Sequence, residues 1–263
     1  MQLVLSLFPG IDLLGRGFEQ AGYCVVRGPD TLWGGDIRTF HTPPNRFEGI
    51  IAGTPCQDFS KARRSPPTGY GLEMLREFCR VIAKSQPAWF LLENVPTVPN
   101  IAIDGYTIQR LDLDARECGS PQRRLRHFQF GSQTGLILVP TRAAPLPGQS
   151  QPTATATEGH KKNRRSWADF CELQGLPRDF NLPGMTKIAR YHAVGSGVHI
   201  AVALTLARSV TAAQSRTEIV DVCACNCGRR VTPPRTLATP ACRKRIQRRR
   251  QSHTPPVTVL STP

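Results

Sequence analysis

Gly49-Ile50-Ile51-Ala52-Gly53-Thr54-Pro55-Cys56-Gln57-Asp58-Phe59-Ser60 is the stretch on which the reading of this chain turns. Its first four residues form a short apolar run, the pattern of a strand buried on both faces. Gly53 and Pro55 then hold a fixed, extended loop that carries Cys56. Ligand sites in open α/β sheets lie at the carboxyl ends of strands, so Cys56 is presented where a reaction can occur. A cysteine met alone in such a place is more often an idle buried thiol. Its neighbours in the sequence have to decide.

On either side, residues 1–131 alternate strands with helices. Leu3 to Phe8 is an apolar run closed by Pro9-Gly10, and Leu13 to Ala21 has helical spacing with Gly22 as C-cap. Strands are expected at Tyr23 to Arg27, Gly49 to Ala52, Trp89 to Leu92 and Arg126 to Gly131, with an amphipathic helix over Gly71 to Lys84. Such alternation predicts an α/β fold of the Rossmann-like kind, with a mostly parallel sheet covered on both faces. Leu136 to Arg165 is rich in Pro, Thr, Ala, Gly and Gln and reads as loop. Helices return at Ser166 to Leu176, where Ser166 and Asp169 are placed as a capping box, and at His199 to Val210. The expected organisation is a core over 1–131, an insert over 132–165, helices over 166–212 that complete the core, a small basic module over 221–251 and a disordered tail over 252–263. No internal repeat is visible.

Composition narrows the partners. The chain has 263 residues, 34 basic against 19 acidic side chains and a net charge of +15. Nine of the basic residues and one acidic residue fall within 221–263. That imbalance favours a polyanionic partner such as nucleic acid or an anionic membrane surface. A hydrophobic fraction of 40% supports a buried core. No apolar run approaches the roughly 18–20 residues of a membrane helix, so no span is expected. The apolar N-terminus lacks a basic leader and a cleavage site, and nine cysteines make an odd number; both point to a reducing, cytoplasmic setting.

Two more elements stand beside Cys56. Leu92-Glu93-Asn94-Val95 ends the next strand with a carboxylate at an equivalent level of the sheet. Pro121-Gln122-Arg123-Arg124-Leu125-Arg126 precedes another strand, and alternate residues of an extended segment share a face, so Arg124 and Arg126 are expected to converge on one target.

Together with Ser6-Leu7-Phe8-Pro9-Gly10, these elements resemble the cytosine-C5 DNA methyltransferase family, from Leu5 to about Val210 and in the family's order. Cys171 to Pro177 is similar to the helix before the family's last motif, which appears as Ala193-Val194-Gly195-Ser196-Gly197-Val198. The resemblance implies S-adenosylmethionine as cofactor. Phe8 would pack on its adenine, Gly10 would let the backbone approach, Asp30 would bind the ribose hydroxyls and Asp36 would contact the adenine. Asp12, Ile37, Pro55, Ser196 and Val198 join the cofactor set by position. The resemblance also implies that Cys56 adds to C6 of cytosine, which makes C5 nucleophilic. Glu93 would act as general acid toward N3, and Arg126 would hold the O2 side of the base, with Arg124 as the further catalytic partner. An electropositive pocket is expected to favour the Cys56 thiolate. In duplex DNA the target base must first leave the stack.

The chain departs from the family in four places. Asp12 stands where a glycine is usual, which puts the tightness of the cofactor turn in question. Thr54 replaces the first proline of the Cys56 loop and is expected to loosen it slightly. Ser196 replaces an asparagine and His199-Ile200 stands where prolines are common, so a weaker hold on the cofactor's methionine end is expected. The region that reads DNA is reduced to about Ser132 to Arg165, shorter than the roughly 50 residues of the smallest independent domains. Its Lys161, Lys162, Arg164 and Arg165 grip phosphate or form a solvated charged face. Gln57, Ser60, Lys61, Arg63 and Arg64 are expected to add a DNA patch after the Cys56 loop, and Arg243 and Arg245 another near the C-terminus. Cys223, Cys225, Cys227 and Cys242 offer four thiolates for a structural zinc, or remain reduced thiols. The expected partner is double-stranded DNA, with no membrane and no obligate protein partner. A solitary phage- or prophage-type enzyme in a bacterial or phage-infected cell fits this reading, with restriction-modification as its setting. A tRNA methyltransferase and an inactive DNA-binding relative remain the alternatives.

Overall fold

The computed structural model describes residues 2–61, 63, 65–145, 147–148, 150–218 and 239–244. Six strands form one sheet: β1 (Leu3–Leu7), β2 (Cys24–Arg27), β3 (Gly49–Gly53), β4 (Trp89–Asn94), β5 (Thr107–Asp114) and β6 (Leu125–Ser132). Their order is β2-β1-β3-β4-β6-β5. The first four run parallel, as the alternation of strands and helices predicts. β6 runs antiparallel to β4, and β5 antiparallel to β6. The antiparallel pair places the start of β6 beside the end of β4, so Asn94 faces His127 and Glu93 faces Phe128.

Five helices accompany the sheet: α1 (Leu13–Gln20), α2 (Tyr70–Ser85), α3 (Trp167–Leu173), α4 (Lys187–Ser196) and α5 (Ile200–Glu218). One sheet face carries Leu5, Leu7, Ile50, Ala52, Phe90 and Leu92, on which α2 lays Met74, Leu75, Phe78, Val81 and Ile82. Alternation of side chains along each strand makes that face continuous. On the other face Trp89 is fully buried, stacked against Phe18 of α1 at 5.9 Å and beside Phe130 of β6 at 6.2 Å. α1 lies so close to α5 that a Cβ at Gly17 would fall 2.3 Å from that of Ala203, which only glycine permits. A third cluster joins Ile11 and Leu13 to Ala154, Phe170, Leu173, Tyr191 and Val194.

β5 and α4 were not expected. Thr107-Ile-Gln-Arg-Leu-Asp-Leu-Asp114 has only three apolar residues, irregularly spaced, which is too weak a pattern to mark a strand. α4 begins at Thr186, whose hydroxyl accepts from the Ala189 amide. The predicted helix over Ser166 to Leu176 is shorter, because Gly175 turns the chain at φ +78°. Ser166 does accept from the Asp169 amide. Contrary to expectation, Lys187–Ser215 contains a window of mean hydropathy 1.4, long and apolar enough to cross a membrane by length and composition; 61% of that window is buried. The chain divides into two compact units, Met1–Thr211 and Ala212–Pro263, and α5 runs from the first into the second. The insert shares the first unit with the sheet.

Candidate active site

The parallel register brings the ends of β1, β3 and β4 to one level: Leu7 pairs with Ala52, and Gly53 with Glu93. Chain segments Phe8–Asp12, Thr54–Cys56 and Glu93–Asn94 therefore leave the sheet side by side. The first makes an unusual turn in which Phe8, Gly10 and Asp12 all have positive φ, at 52°, 55° and 58°. For Phe8 this backbone conformation is costly. Gly10 has nothing within 4 Å of where a Cβ would stand, which leaves the turn open toward the cavity it lines. Asp30 closes the turn, its Oδ2 accepting from the Gly10 amide at 2.8 Å and its Oδ1 from Leu32.

Asp12 resolves the first departure from the family. Aspartate tolerates the left-handed conformation better than most residues, and its side chain caps α1 by accepting from the Gly15 amide at 3.0 Å. The Ser6 hydroxyl donates to the same oxygen at 2.8 Å, while Arg27 Nε lies 3.0 Å from the other. Burial pushes the carboxyl up from its ordinary value, and Ser6, Arg27 and Gly15 oppose that push. The turn is pinned.

All nine residues expected to hold the cofactor line one cavity of about 640 Å³: Phe8, Gly10, Asp12, Asp30, Asp36, Ile37, Pro55, Ser196 and Val198. Leu32, Met74, Ile188 and His192 also line it and were missed. Trp33 was missed as well; 63% exposed, it donates its indole N–H to the Gly10 carbonyl at 2.7 Å. An exposed tryptophan three residues past Asp30 was the available signal. Asp36 caps a 3₁₀ turn and is held below the usual carboxylate range by hydrogen bonds and charge from Arg38. The cavity volume and this mixture of apolar walls with the carboxylates of Asp12, Asp30, Asp36 and Glu93 fit a nucleoside-bearing ligand.

The reaction end adjoins this cavity, whose wall includes Gly53, Gln57 and Glu93. Glu93 is 7% exposed, and burial pushes its carboxyl above the usual range against the pull of Arg126 and Arg124. Arg126 Nε sits 3.1 Å from Glu93 Oε1. Cys56 is half-buried, and its thiol is also pushed up, by burial first and by Glu93 second, with Arg126 and Arg124 opposing. The electropositive pocket expected for the thiolate is thus present but outweighed. Asn94 ties the two loops together, its amide donating to Thr54 Oγ1 at 2.9 Å and to the Thr54 carbonyl at 3.1 Å. Thr54 therefore supplies an anchor where a looser loop was expected. Asp58 fixes the far side, accepting from the Gly71 amide at 2.8 Å and Thr68 at 2.9 Å.

Arg124 and Arg126 both lie near Cys56 and Glu93, but only Arg126 is paired with Glu93. Arg124 is 1% exposed and spends its terminal nitrogens on three carbonyls, those of Ala154 at 2.8 Å, Gly195 at 2.8 Å and Gly197 at 2.6 Å. The segment turns into β6 only at Leu125, so strict alternation does not hold across the boundary. Gln122 is fully buried and does similar work, donating to the Leu173 carbonyl at 2.6 Å and accepting from the Ala154 amide at 3.0 Å. Both residues brace the insert and the later helices against the sheet. Arg124 still faces Cys56 and Glu93 as a positive charge.

Of the expected DNA contacts, Gln57, Lys61 and Arg63 are exposed and Ser60 is half-buried, whereas Arg64 lies outside the described residues. Lys162, Arg164 and Arg165 line a second cleft. Lys161 is exposed and its carbonyl accepts from Arg164. Arg243 is exposed. Arg245, Cys223, Cys225 and Cys227 lie outside the described residues, as does the expected disordered tail. Cys242 is buried, with its Sγ 3.2 Å from Thr239 Oγ1. Among the described residues no cluster of three or more His, Cys, Asp or Glu side chains is placed to hold a metal.

A mixed sheet whose parallel strands end in a cysteine loop, a buried carboxylate and a nucleoside-sized cavity defines an α/β class of protein with its site at the carboxyl ends of the strands. The model of the C-5 cytosine-specific DNA methylase family matches residues 31–169, and the chain belongs to that family. It is 30% identical over 168 residues to the type II methyltransferase M.HgiDI of Herpetosiphon aurantiacus, covering 51% of this chain and 53% of that protein. Against M.HindV of Haemophilus influenzae the identity is 32% over 174 residues, covering 54% and 57%. The chain thus spans about half the length of the curated relatives it matches. Among solved structures, the S. pombe Dnmt2 methyltransferase has the same fold, with a TM-score of 0.62 at 13% identity over 81% of this chain and 99% of that one. A DNA modification methyltransferase encoded within an E. coli prophage gives 0.59 at 17%, over 82% and 100%.

Proposed function

We propose that this chain is a DNA (cytosine-5-)-methyltransferase that acts on a cytosine swung out of duplex DNA, through a covalent bond between Cys56 and C6. The observation that carries this reading is Glu93, buried in the wall of the nucleoside-sized cavity and paired with Arg126, one loop away from Cys56. S-adenosylmethionine, held by the residues of that cavity, supplies an electrophilic sulfonium methyl. Cys56 as thiolate adds to C6 of the base, and the electron pair of the C5–C6 bond moves onto C5, the carbon nucleophile such a methyl requires. Glu93, kept protonated by its burial, gives a proton or a strong hydrogen bond to N3 and so removes charge from the ring. Arg126 fixes the Glu93 carboxyl and offers its guanidinium to O2. Loss of the C5 proton to a base then expels Cys56 and restores the aromatic ring.

The finer parts of the reading follow the same lines. The enzyme works inside a bacterial or phage-infected cell, within restriction-modification, on double-stranded DNA. Cys223, Cys225 and Cys227 join Cys242 around a structural zinc, which positions the basic C-terminal residues on phosphate. Elemental analysis of the purified chain is expected to find about one zinc per chain; none, with all four thiols freely titratable, removes the site.

Transfer of label from methyl-labelled cofactor to duplex DNA and to tRNA, in parallel, tests the function. Label in duplex DNA, recovered as 5-methylcytosine, is expected. Label in tRNA alone overturns the substrate, and DNA binding without label in either overturns the activity.

A further inference from the structure

Outside the catalytic cavity, the first unit has a second cleft of about 680 Å³ between residues 162–167 and α4. Five cations surround it: Lys162, Arg164 and Arg165 from the end of the insert, Lys187 and Arg190 from α4. Met185, Trp167 and Tyr191 complete the lining, the last two in ring contact at 5.3 Å. Arg165 is paired with Glu158 at 2.6 Å. Among the described residues the other four cations have no carboxylate within 4 Å.

Several of these side chains are held in place by main chain. Arg190 Nε donates to the Met185 carbonyl at 3.0 Å and Arg164 Nη1 to Lys161 at 3.0 Å. Tyr191 donates its hydroxyl to the Arg165 carbonyl at 2.7 Å, and Trp167 its indole N–H to Phe180 at 2.6 Å. Solvated charges on a free surface have no need of such anchoring. Four like charges facing one space repel, and an anion seated there relieves the repulsion. The cleft is larger than one phosphate group requires, and its apolar lining suits the sugars between phosphates.

We infer that this cleft seats the phosphate backbone of the DNA substrate. The inference rests on the function proposed above and adds to it the two cations of α4, Lys187 and Arg190, which sequence reading did not find. α4 is a shared wall. Ile188, Ala189, His192 and Ser196 line the cofactor cavity, while Lys187, Arg190 and Tyr191, at helical spacing on another face, line the cleft. A backbone gripped here bears on the helix that borders the cofactor.

Two double variants of the full chain test it, Lys187→Ala/Arg190→Ala and Lys162→Ala/Arg164→Ala. Duplex binding is followed by fluorescence anisotropy across a salt series, and cofactor binding is measured without DNA. Each pair is expected to lower the slope of log affinity against log salt by about 2 and affinity at moderate salt by at least tenfold, as lost phosphate contacts do. Cofactor binding should be retained. If wild type methylates DNA and both variants keep its slope, the cleft is not the seat although the function stands. If wild type neither binds nor methylates DNA, both readings fall. Should the α4 pair lose cofactor binding through misfolding, the Lys162/Arg164 pair decides by the same slope.

Discussion

Cys56→Ser is expected to lower methyl transfer to duplex DNA by on the order of 10⁴-fold or more, the scale at which loss of a nucleophile is felt. The variant should still bind DNA and cofactor, because Cys56 makes no hydrogen bond that caps its own turn. On a duplex carrying 5-fluorocytosine, wild type should form an adduct stable to denaturation, since the fluorine blocks loss of the C5 substituent; Cys56→Ser should form none. An adduct in the variant would assign the bond to another residue. The pH profile follows from the two raised groups. Reaction needs Cys56 ionised and Glu93 protonated, and the structure favours the thiol and the acid. The reactive form therefore gains as pH rises until Glu93 begins to ionise, stays level while thiolate gained offsets acid lost, and declines above the thiol. Glu93→Gln cannot ionise. Its residual rate, about 10²–10⁴-fold lower, should keep climbing with pH as far as the thiol's own titration, and a level profile in that variant would remove Glu93 from the acid's place.

Arg124→Met and Arg126→Gln, two residues apart, should fail in opposite ways. Arg124→Met removes the side-chain donor from the Ala154 and Gly195 carbonyls and leaves the Gly197 carbonyl only a 3.3 Å bond from Gln174. A loss of about 3–5 kcal/mol is expected, with Tm lower by about 10 °C. Arg126 has one largely buried pair with Glu93 and one bond to the Leu125 carbonyl; because burial already favours the neutral Glu93 acid, no unpaired buried charge is left behind, and its loss should cost only about 1–2 kcal/mol. Its rate effect should be large, about 10²–10³-fold in single-turnover transfer, because the donor to the base and the restraint on Glu93 vanish together. Circular dichroism melts beside single-turnover assays read both quantities. A stable, slow Arg124→Met with an unstable, fast Arg126→Gln would reverse the two roles.

Much of the site could be read because its residues lie at the ends of strands with strong apolar signals. Ile50–Ala52 and Trp89–Leu92 are buried on both faces, and nothing in their composition competes with strand. Residues just past the ends of such strands are then placed by the sheet itself. Legibility failed where position depends on partners distant in sequence. β5 is an edge strand whose three apolar residues, Ile108, Leu111 and Leu113, follow no regular alternation, and its antiparallel pairing with β6 depends on a ten-residue connection with no hairpin signature. α4 contains Tyr191, His192 and Val194, indifferent helix formers; Tyr191 packs on Phe170 and Trp167 and Val194 is buried in the same cluster, which the local sequence does not announce. Asp12 read as a defect in a turn, since neither Ser6 nor Arg27 is marked in sequence as its partner. Arg124 read as the twin of Arg126 because spacing says which face a strand residue shows, but not where the strand begins.

The reversed direction of β6 has one more consequence. Glu93 and Arg126 meet through the register of two strands that are complete by Ser132; the chain is then held to β5, Leu138 by Gln109 and Arg142 by the Asp112 carbonyl, and from Arg142 it runs on to Gln151, bridged to Gln122. Whatever joins those two points leaves the chemistry untouched. Lengthening a surface connection costs only about 0.6 kcal/mol per doubling, so this interval works as a port. Segments of different length can be spliced into it while Glu93 and Arg126 keep their places, which makes this interval a site open to grafting.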